Sequence, residues 1–162
     1  MKAAAIGLIA AVLIVGGVLG YALFNANLQV VAKGMQSLPA GERAAEFEAL
    51  RVSARQGSLL GTLLKSGEMG PAPNYSFYVY SLRLQNNGLV PAEMVEMQVS
   101  PAPQDVLFYG TEEEIVIPPG ETRDVWCVLL TEGSPTPVRD LYITYYLWGH
   151  PQEVKFTYDE TK

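Results

Sequence analysis

From Tyr75 onward, hydrophobic and polar residues alternate along the chain in short runs. A period of two places every second side chain on the same face of a β-strand, so each run predicts a strand with one buried face. The runs end at residues that favour turns, such as Asn86-Asn87-Gly88 and Pro118-Pro119-Gly120. The predicted strands are Tyr75–Gln85, Val95–Val99, Asp105–Tyr109, Ile115–Ile117, Asp124–Leu130, Asp140–Trp148 and Glu153–Tyr158.

Residues 58–162 are therefore predicted to form one β domain. The run Ser58–Lys65 fits either a short first strand or a last helical turn, and we favour the strand. About seven short strands separated by turn signals are typical of an antiparallel immunoglobulin-like β-sandwich. The predicted fold class is mainly β, with an N-terminal transmembrane helix and a short juxtamembrane helix ahead of the sandwich.

The N-terminal pattern is uniformly apolar instead. Ala3 to Leu23 contains no charged residue and follows Lys2. A helix of this length would rise roughly 30 Å, which is about the thickness of the hydrocarbon core of a bilayer. Residues 1–24 are therefore predicted to form a transmembrane signal-anchor helix that makes the membrane a partner. A cleaved signal peptide is the alternative, although the apolar region of such a leader is usually only about 7–15 residues long.

Residues 25–57 are predicted to connect this helix to the domain. Asn25 to Gly34 is amphipathic and predicts a stalk. Beyond it, Pro39 near a first turn and apolar residues at helical spacing up to about Arg55 predict a juxtamembrane helix. The helix would cover either the base of the domain or the membrane surface, and we favour the domain.

Basic residues and small residues in this region bear on location and assembly. Lys2 is the only basic residue before Lys33, which favours a cytoplasmic N-terminus and an extracytoplasmic C-terminal domain in a single-pass protein of the cell membrane. Gly16 and Gly20 form a GxxxG pair, the spacing at which two membrane helices pack closely. A homo-oligomer through these glycines is one interpretation, and chance spacing is the other.

Charge and cysteine content narrow the class of protein. The chain has 11 Lys+Arg against 17 Asp+Glu, a formal net charge of −6. An acidic surface repels phosphate backbones, so no nucleic-acid partner is expected. The one cysteine, Cys127, lies far from the apolar segment, which excludes a lipoprotein anchor, and it cannot form an internal disulfide.

Two stretches carry a family resemblance. In LRLQNNGLVPAEMVEMQV, Asn86, Asn87 and Gly88 close a strand, and in IPPGETRDVWCVLL, Pro119 and Gly120 turn into the next one. Over about half of its length the chain resembles CARDB-type and related immunoglobulin-like modules of bacterial and archaeal cell-surface proteins. The resemblance implies a β-sandwich without a shared catalytic site, and a role in adhesion, spacing or assembly.

The residues that could carry catalysis are few and isolated. Cys127 lies among apolar neighbours, where a thiol acts as a small hydrophobic side chain, and His150 lies in a predicted turn. One histidine and one cysteine cannot supply the usual Zn²⁺ ligands, and Glu112–Glu114 lacks the spacing of a Ca²⁺ loop. We therefore predict no catalytic residue, no metal site, no cofactor and no enzymatic activity.

Aromatic residues offer a surface for binding. Tyr142, Tyr146 and Trp148 share the strand face opposite Leu141 and Ile143, so they form an exposed stripe if the latter are buried. The alternative is that the juxtamembrane helix packs over this face and buries it. We predict an extracytoplasmic module for protein–protein contacts in an envelope or surface assembly, and the alternative function is carbohydrate binding through the aromatic stripe.

Overall fold

A computed structural model of the protein describes residues 2–25, 27–65, 67–111, 113–133 and 138–159. These residues form two α-helices and eight β-strands. In chain order the elements are α1 (Lys2–Asn25), β1 (Leu28–Pro39), α2 (Ala44–Gln56), β2 (Thr62–Leu63), β3 (Tyr75–Asn86), β4 (Glu93–Val99), β5 (Asp105–Gly110), β6 (Thr122–Glu132), β7 (Arg139–Leu147) and β8 (His150–Tyr158).

The strands form two antiparallel sheets. One sheet has five strands in the order β1-β3-β6-β5-β2, and the other has three in the order β4-β7-β8. The central pair β3 and β6 is in register from Tyr75 opposite Glu132 to Gln85 opposite Thr122. The prediction of a mainly β, antiparallel fold is confirmed.

The two sheets face each other across one hydrophobic core. Because side chains alternate along each strand, β3, β6 and β7 each send every second residue inward. The fully buried residues of this core include Tyr80, Leu82, Leu84, Val125, Cys127, Leu129, Leu141 and Ile143. For the central strands, the alternation of apolar and polar residues in the sequence therefore predicts correctly which residues face the core.

Asn86, at the end of β3, is a buried polar residue at the rim of this core. Its Nδ2 donates to the carbonyl oxygens of Val90 and Ile117, both at 2.8 Å, and its Oδ1 accepts from the Gly88 N–H at 2.8 Å. A buried amide is costly unless it is hydrogen-bonded. The hydrogen bonds of the Asn86 side chain therefore hold the predicted Asn-Asn-Gly turn in place and connect the loops that contain Val90 and Ile117.

A second hydrophobic cluster lies on the outer face of the five-stranded sheet, at one end, under α2. Phe47 of α2 is fully buried, and its ring centroid is 5.1 Å from that of Tyr75 on β3. The same cluster also contains Phe77, Val106, Leu107 and Leu130. The sequence predicted a helix from about Pro39 to Arg55, and the structure has α2 from Ala44 to Gln56, because Leu38 and Pro39 belong to β1. Gly57 follows the last helical residue, and its φ of 65° suits the left-handed cap.

A buried ion pair joins the two sheets. Arg139 Nη2 of β7 lies 3.2 Å from Asp105 Oδ1 of β5, and both side chains are almost fully buried. The other carboxylate oxygen of Asp105 accepts from the Ala102 N–H at 2.6 Å. The charge on Asp105 is thus compensated by a cation and by a backbone donor.

The segment predicted as a stalk is a strand. β1 pairs with β3 along its whole length, from Leu28 opposite Asn86 to Pro39 opposite Ser76, with one bulge between Val30 and Ala32. A Cβ at Gly34 would come within 2.8 Å of Ser81 Oγ, which in the structure donates to the Gly34 carbonyl at 3.4 Å. The run lacks clean alternation because only part of one face is buried.

Two further boundaries differ from the sequence prediction. Ile115–Ile117, predicted as a strand, makes one isolated bridge between Ile117 and Ala92 and so forms no ladder. The Ser58–Lys65 strand shrinks to Thr62–Leu63. The structure therefore reaches eight strands through β1, which the pattern did not predict.

The N-terminal segment forms α1. Its exposed side chains include the large apolar residues Ile9, Val12, Leu13 and Leu19. In the part of the chain that the structure describes, no helix meets the length and hydropathy needed to cross a membrane. The prediction of a transmembrane helix over Ala3–Leu23 is wrong by this finding.

Candidate functional site

The candidate site is the outer face of the three-stranded sheet, here called the open face. Leu141, Ile143 and Tyr145 of β7 are buried in the core, which places Tyr142 and Tyr146 on the opposite side. The helix α2 packs against the other sheet. The alternative that this helix buries the aromatic residues is therefore wrong.

Strand register arranges the open face in three rows. Tyr142 lies between Gln98 and Lys155, Thr144 lies between Glu96 and Glu153, and Tyr146 lies between Glu93 and Pro151. An open groove of about 420 Å³ runs over the second and third rows. The groove has a polar floor at Thr144 and an aromatic wall at Tyr146.

Trp148 lies in the turn, not on the strand. Leu147 pairs with His150, so Trp148 and Gly149 form a two-residue hairpin loop, and their φ angles are 50° and 75°. Positive φ at both central positions is the signature of a type I′ turn, which favours Asn-Gly. The predicted stripe therefore keeps Tyr142 and Tyr146, and Trp148 is presented at the hairpin tip with 49% of its surface exposed.

Met94 is a residue that sequence reasoning missed. Glu93 pairs with Tyr146 and Glu96 with Thr144, so Met94 and Val95 together oppose Tyr145 in a β-bulge. Met94 has a φ of 49° and is half exposed, whereas Val95 is buried. The signal was present, because two adjacent apolar residues interrupt the alternation at the start of this strand.

Met94, Tyr146, Trp148 and Pro151 define what we call the hairpin patch. Met94, Tyr146 and Pro151 line the groove, and Trp148 follows Tyr146 by two residues in the hairpin loop. Met94 and Trp148 are the non-glycine residues with positive φ in the described part of the chain. A left-handed backbone costs such residues about 1–2 kcal/mol each.

Carboxylates surround the hairpin patch. Glu96 and Glu153 line the groove together with Met94. A second groove, of about 200 Å³, shares Met94 and Glu96 with the first and is also lined by Glu113 and Glu114. In the described residues, no group of three or more potential metal ligands is found. The predicted Glu112–Glu114 cluster thus contributes two described carboxylates to this rim, and Glu112 lies outside the described residues.

The other end of the open face is held by an ion pair. Lys155 Nζ is 2.8 Å from Asp140 Oδ2 and 5.8 Å from the centroid of the Tyr142 ring. Thr157 Oγ1 donates to Asp140 Oδ1 at 2.7 Å. The hydrogen bonds from Lys155 and Thr157 lower the pKa of Asp140. The hydrogen bond to Asp140 in turn raises the pKa of Lys155. Tyr142 is thus flanked by paired charges, whereas Tyr146 is not.

The residues considered for catalysis are separated. Cys127 is fully buried between the sheets, and burial raises the pKa of its thiol to about 12, so it is confirmed as a core residue. His150 is an exposed residue that opens β8. The thiol of Cys127 is buried and the imidazole of His150 is exposed, so the two residues do not share one site. The absence of catalytic residues stays a prediction.

Comparison with known proteins gives few matches. No protein-family model matches the chain, and no curated protein matches it. A solved structure, a FixG-related protein from Vibrio parahaemolyticus, is similar over 78% of this chain and 94% of its own, with 12% identity and a TM-score of 0.36. The resemblance to CARDB-type modules stays a prediction.

Proposed function

We propose that this protein is a non-catalytic β-sandwich module that binds a protein partner through the hairpin patch. The observation that supports the proposal is the backbone conformation of Met94 and Trp148. Both are large, apolar and about half exposed at positions where glycine or asparagine would be less strained. Strain held at exposed apolar side chains is expected where those side chains make a contact outside the chain.

The groove and its surroundings define the chemistry of the partner. Tyr146 and Met94 provide an apolar and aromatic centre, which is typical of the energetic centre of an interface. Glu96, Glu153 and Glu113 form an acidic rim around it. The fitting partner is therefore a protein surface with an apolar centre and lysine or arginine at its edge.

A second candidate function is carbohydrate binding. Tyr146 and Trp148 are exposed, and flat aromatic side chains also stack on sugar rings. This function needs the aromatic rings and does not need Met94 or the acidic rim. The two functions therefore differ in the residues on which they depend.

A photo-crosslinking amino acid at Tyr146 tests the proposal in cells that express the full chain. We expect one discrete protein adduct, and we expect it to disappear when Trp148→Asn or Met94→Lys is added. The control places the same amino acid at Thr122, an exposed residue on β6 of the other sheet. Absence of an adduct at Tyr146, or equal adducts at both positions, contradicts the proposal.

A panel of oligosaccharides separates the second function. If the wild-type protein binds a sugar and Tyr146→Ala abolishes the binding while Met94→Lys does not, carbohydrate binding is favoured instead. An extracytoplasmic location of the module stays a prediction, and protease treatment of intact cells tests it. Protection of the module in intact cells would contradict that location.

Homo-oligomerisation through Gly16 and Gly20 also stays a prediction. A Cβ built at either glycine meets no described atom within 4 Å, so neither glycine packs against another described element of the chain.

A further inference from the structure

Strand β8 is an edge of the three-stranded sheet and pairs with β7 alone. No backbone hydrogen bond from another described element reaches residues 151–157. Lys33 of β1 reaches the end of the strand, where its Nζ donates to the Asp159 carbonyl at 2.8 Å and lies 5.3 Å from the centroid of the Tyr158 ring. The edge from Pro151 to Thr157 is therefore open in the described chain, and an open edge is a template for another strand.

The direction of the backbone groups on this edge follows from β7. The Asp140 carbonyl accepts from the Ser100 N–H at 2.8 Å, on the side of β4. Because the bonding side alternates along a strand, even-numbered residues of β7 bond towards β4 and odd-numbered residues towards β8. Ile143 is opposite Val154, so Val154 bonds to β7, and Glu153 and Lys155 point their backbone groups outward.

The same alternation places Pro151 and Thr157 outward. Pro151 has no N–H, so its position on the open side leaves the β7–β8 ladder intact. The edge therefore presents three donors, from Glu153, Lys155 and Thr157, and it also presents a carbonyl at Pro151. These groups are spaced as one side of an antiparallel ladder.

We propose that β8 pairs antiparallel with β8 of a second copy of this chain, with Val154 opposite Val154 at the two-fold axis. In this register Glu153 faces Lys155 of the second copy, and the two residues exchange both backbone hydrogen bonds. The Thr157 N–H donates to the Pro151 carbonyl of the second copy. All three outward donors of each copy are thus satisfied, and a six-stranded sheet is formed.

The charges on the open face select this register. Glu153 and Lys155 project from the same face of β8, so the pairing places opposite charges side by side twice across the two-fold axis. The two neighbouring registers that keep the same residues on the open face place Glu153 opposite Glu153, or Lys155 opposite Lys155. Like charges directly opposite each other destabilise a sheet, so the pattern admits one register and disfavours the others.

Charge reversal tests the pairing on the full chain, with sedimentation as a function of concentration. Glu153→Lys and Lys155→Glu each place like charges together at two sites, and we expect each to weaken the dimer about tenfold. The double variant E153K/K155E restores the opposite pairs across the two-fold axis and is expected to recover the dimer, although the Lys155–Asp140 pair within each copy is lost. Thermal unfolding of each variant checks that the fold is kept. A monomeric wild-type protein, or a dimer unchanged by both single variants, overturns the proposal.

Cysteine crosslinking tests the register independently. Val154→Cys brings two thiols together at a non-hydrogen-bonded pair, whose Cα separation of about 4.5 Å permits a disulfide. We expect mild oxidation to give a covalent dimer, whereas Thr157→Cys, which faces Pro151 of the second copy, gives none. Cys127 is buried and does not compete. Equal crosslinking at both positions, or none at Val154→Cys, contradicts the register. The disulfide dimer of Val154→Cys does not depend on the protein adduct at Tyr146. The result of one experiment can therefore contradict the pairing of β8 without contradicting the proposed function, and the reverse.

Discussion

The two sheets differ in what lies on their outer faces. The five-stranded sheet is covered at one end by α2, whose Phe47 is fully buried against Tyr75. The outer face of the three-stranded sheet is covered by no described helix and presents Tyr146 beside a groove. The covered face contributes to the stability of the fold, whereas the open face holds the strained, exposed side chains. This division suggests that the two faces can be changed independently.

The largest effect is expected from uncoupling α2. Phe47→Ala removes a fully buried ring and leaves a cavity, so we expect the free energy of unfolding to fall by about 3–5 kcal/mol. Tyr142→Ala on the open face is the matched control, with an expected change of about 0.5 kcal/mol. Denaturant unfolding measures both. Similar losses for the two variants would contradict the distinction between the faces.

The buried pair Arg139–Asp105 and the exposed pair Arg83–Asp124 show how burial changes the contribution of an ion pair to stability. Arg139→Met leaves the Asp105 carboxylate buried without its cation, and we expect a loss of about 3 kcal/mol in the free energy of unfolding. Arg83→Met breaks the exposed pair with Asp124, whose N–O distance is 2.7 Å, and a much smaller loss is expected because water screens exposed charges. A loss at Arg83 as large as that at Arg139 would show that exposure does not set the difference.

The hairpin tip separates stability from binding. Trp148→Asn creates Asn-Gly in a type I′ turn, so we expect the free energy of unfolding to rise by about 1 kcal/mol because the left-handed strain is relieved. Trp148→Ala removes the same ring but keeps the strained conformation, and no rise is expected. Both variants should lose the crosslinked adduct at Tyr146. Destabilisation by Trp148→Asn would mean that the indole packs against the fold.

The smallest effect is the acid dependence of the open face. Hydrogen bonds from Lys155 and Thr157 lower the pKa of Asp140 below its ordinary value of 3.8. The unfolded chain therefore takes up this proton first as the pH falls. The stability that Asp140 contributes is complete above its ordinary pKa and is lost as the pH falls through the lower folded value.

Thermal unfolding of wild type and Asp140→Asn checks the sign. We expect the difference in melting temperature to be present above about pH 4 and to vanish at lower pH. Asp124→Asn, on the outer face of the other sheet, should behave in the same direction because Arg83 lowers the pKa of Asp124. If the difference in melting temperature between wild type and Asp140→Asn grew as the pH fell, the pKa of Asp140 would not be lowered in the folded protein.

The sequence predicted those strands whose inner faces are continuous. β3 and β7 alternate clearly because the core buries every second residue, and their bounds agree with the prediction closely. Strand β1 was not predicted, because its partner β3 is distant along the chain and Gly34 interrupts the alternation of apolar and polar residues. Pairing of that kind is set by tertiary contact, which local alternation does not encode.

The candidate site was predicted in part. Tyr142 and Tyr146 follow from alternation, but Trp148 does not, because the hairpin closes at Leu147 and His150 and so ends the strand earlier. Met94 depends on a bulge that shifts the register by one residue, and such a shift changes which face a side chain joins. Backbone conformation at these two positions was visible only in three dimensions.

The rate at which the single thiol of Cys127 reacts with a labelling reagent measures how often the two sheets separate. It lies in the middle of β6, fully buried between the sheets, and the chain has no other cysteine. Burial raises the pKa of this thiol to about 12, so reagents that attack thiolates must wait until the two sheets separate. The labelling rate of the unmodified chain therefore reports how often the two layers part, without any introduced probe.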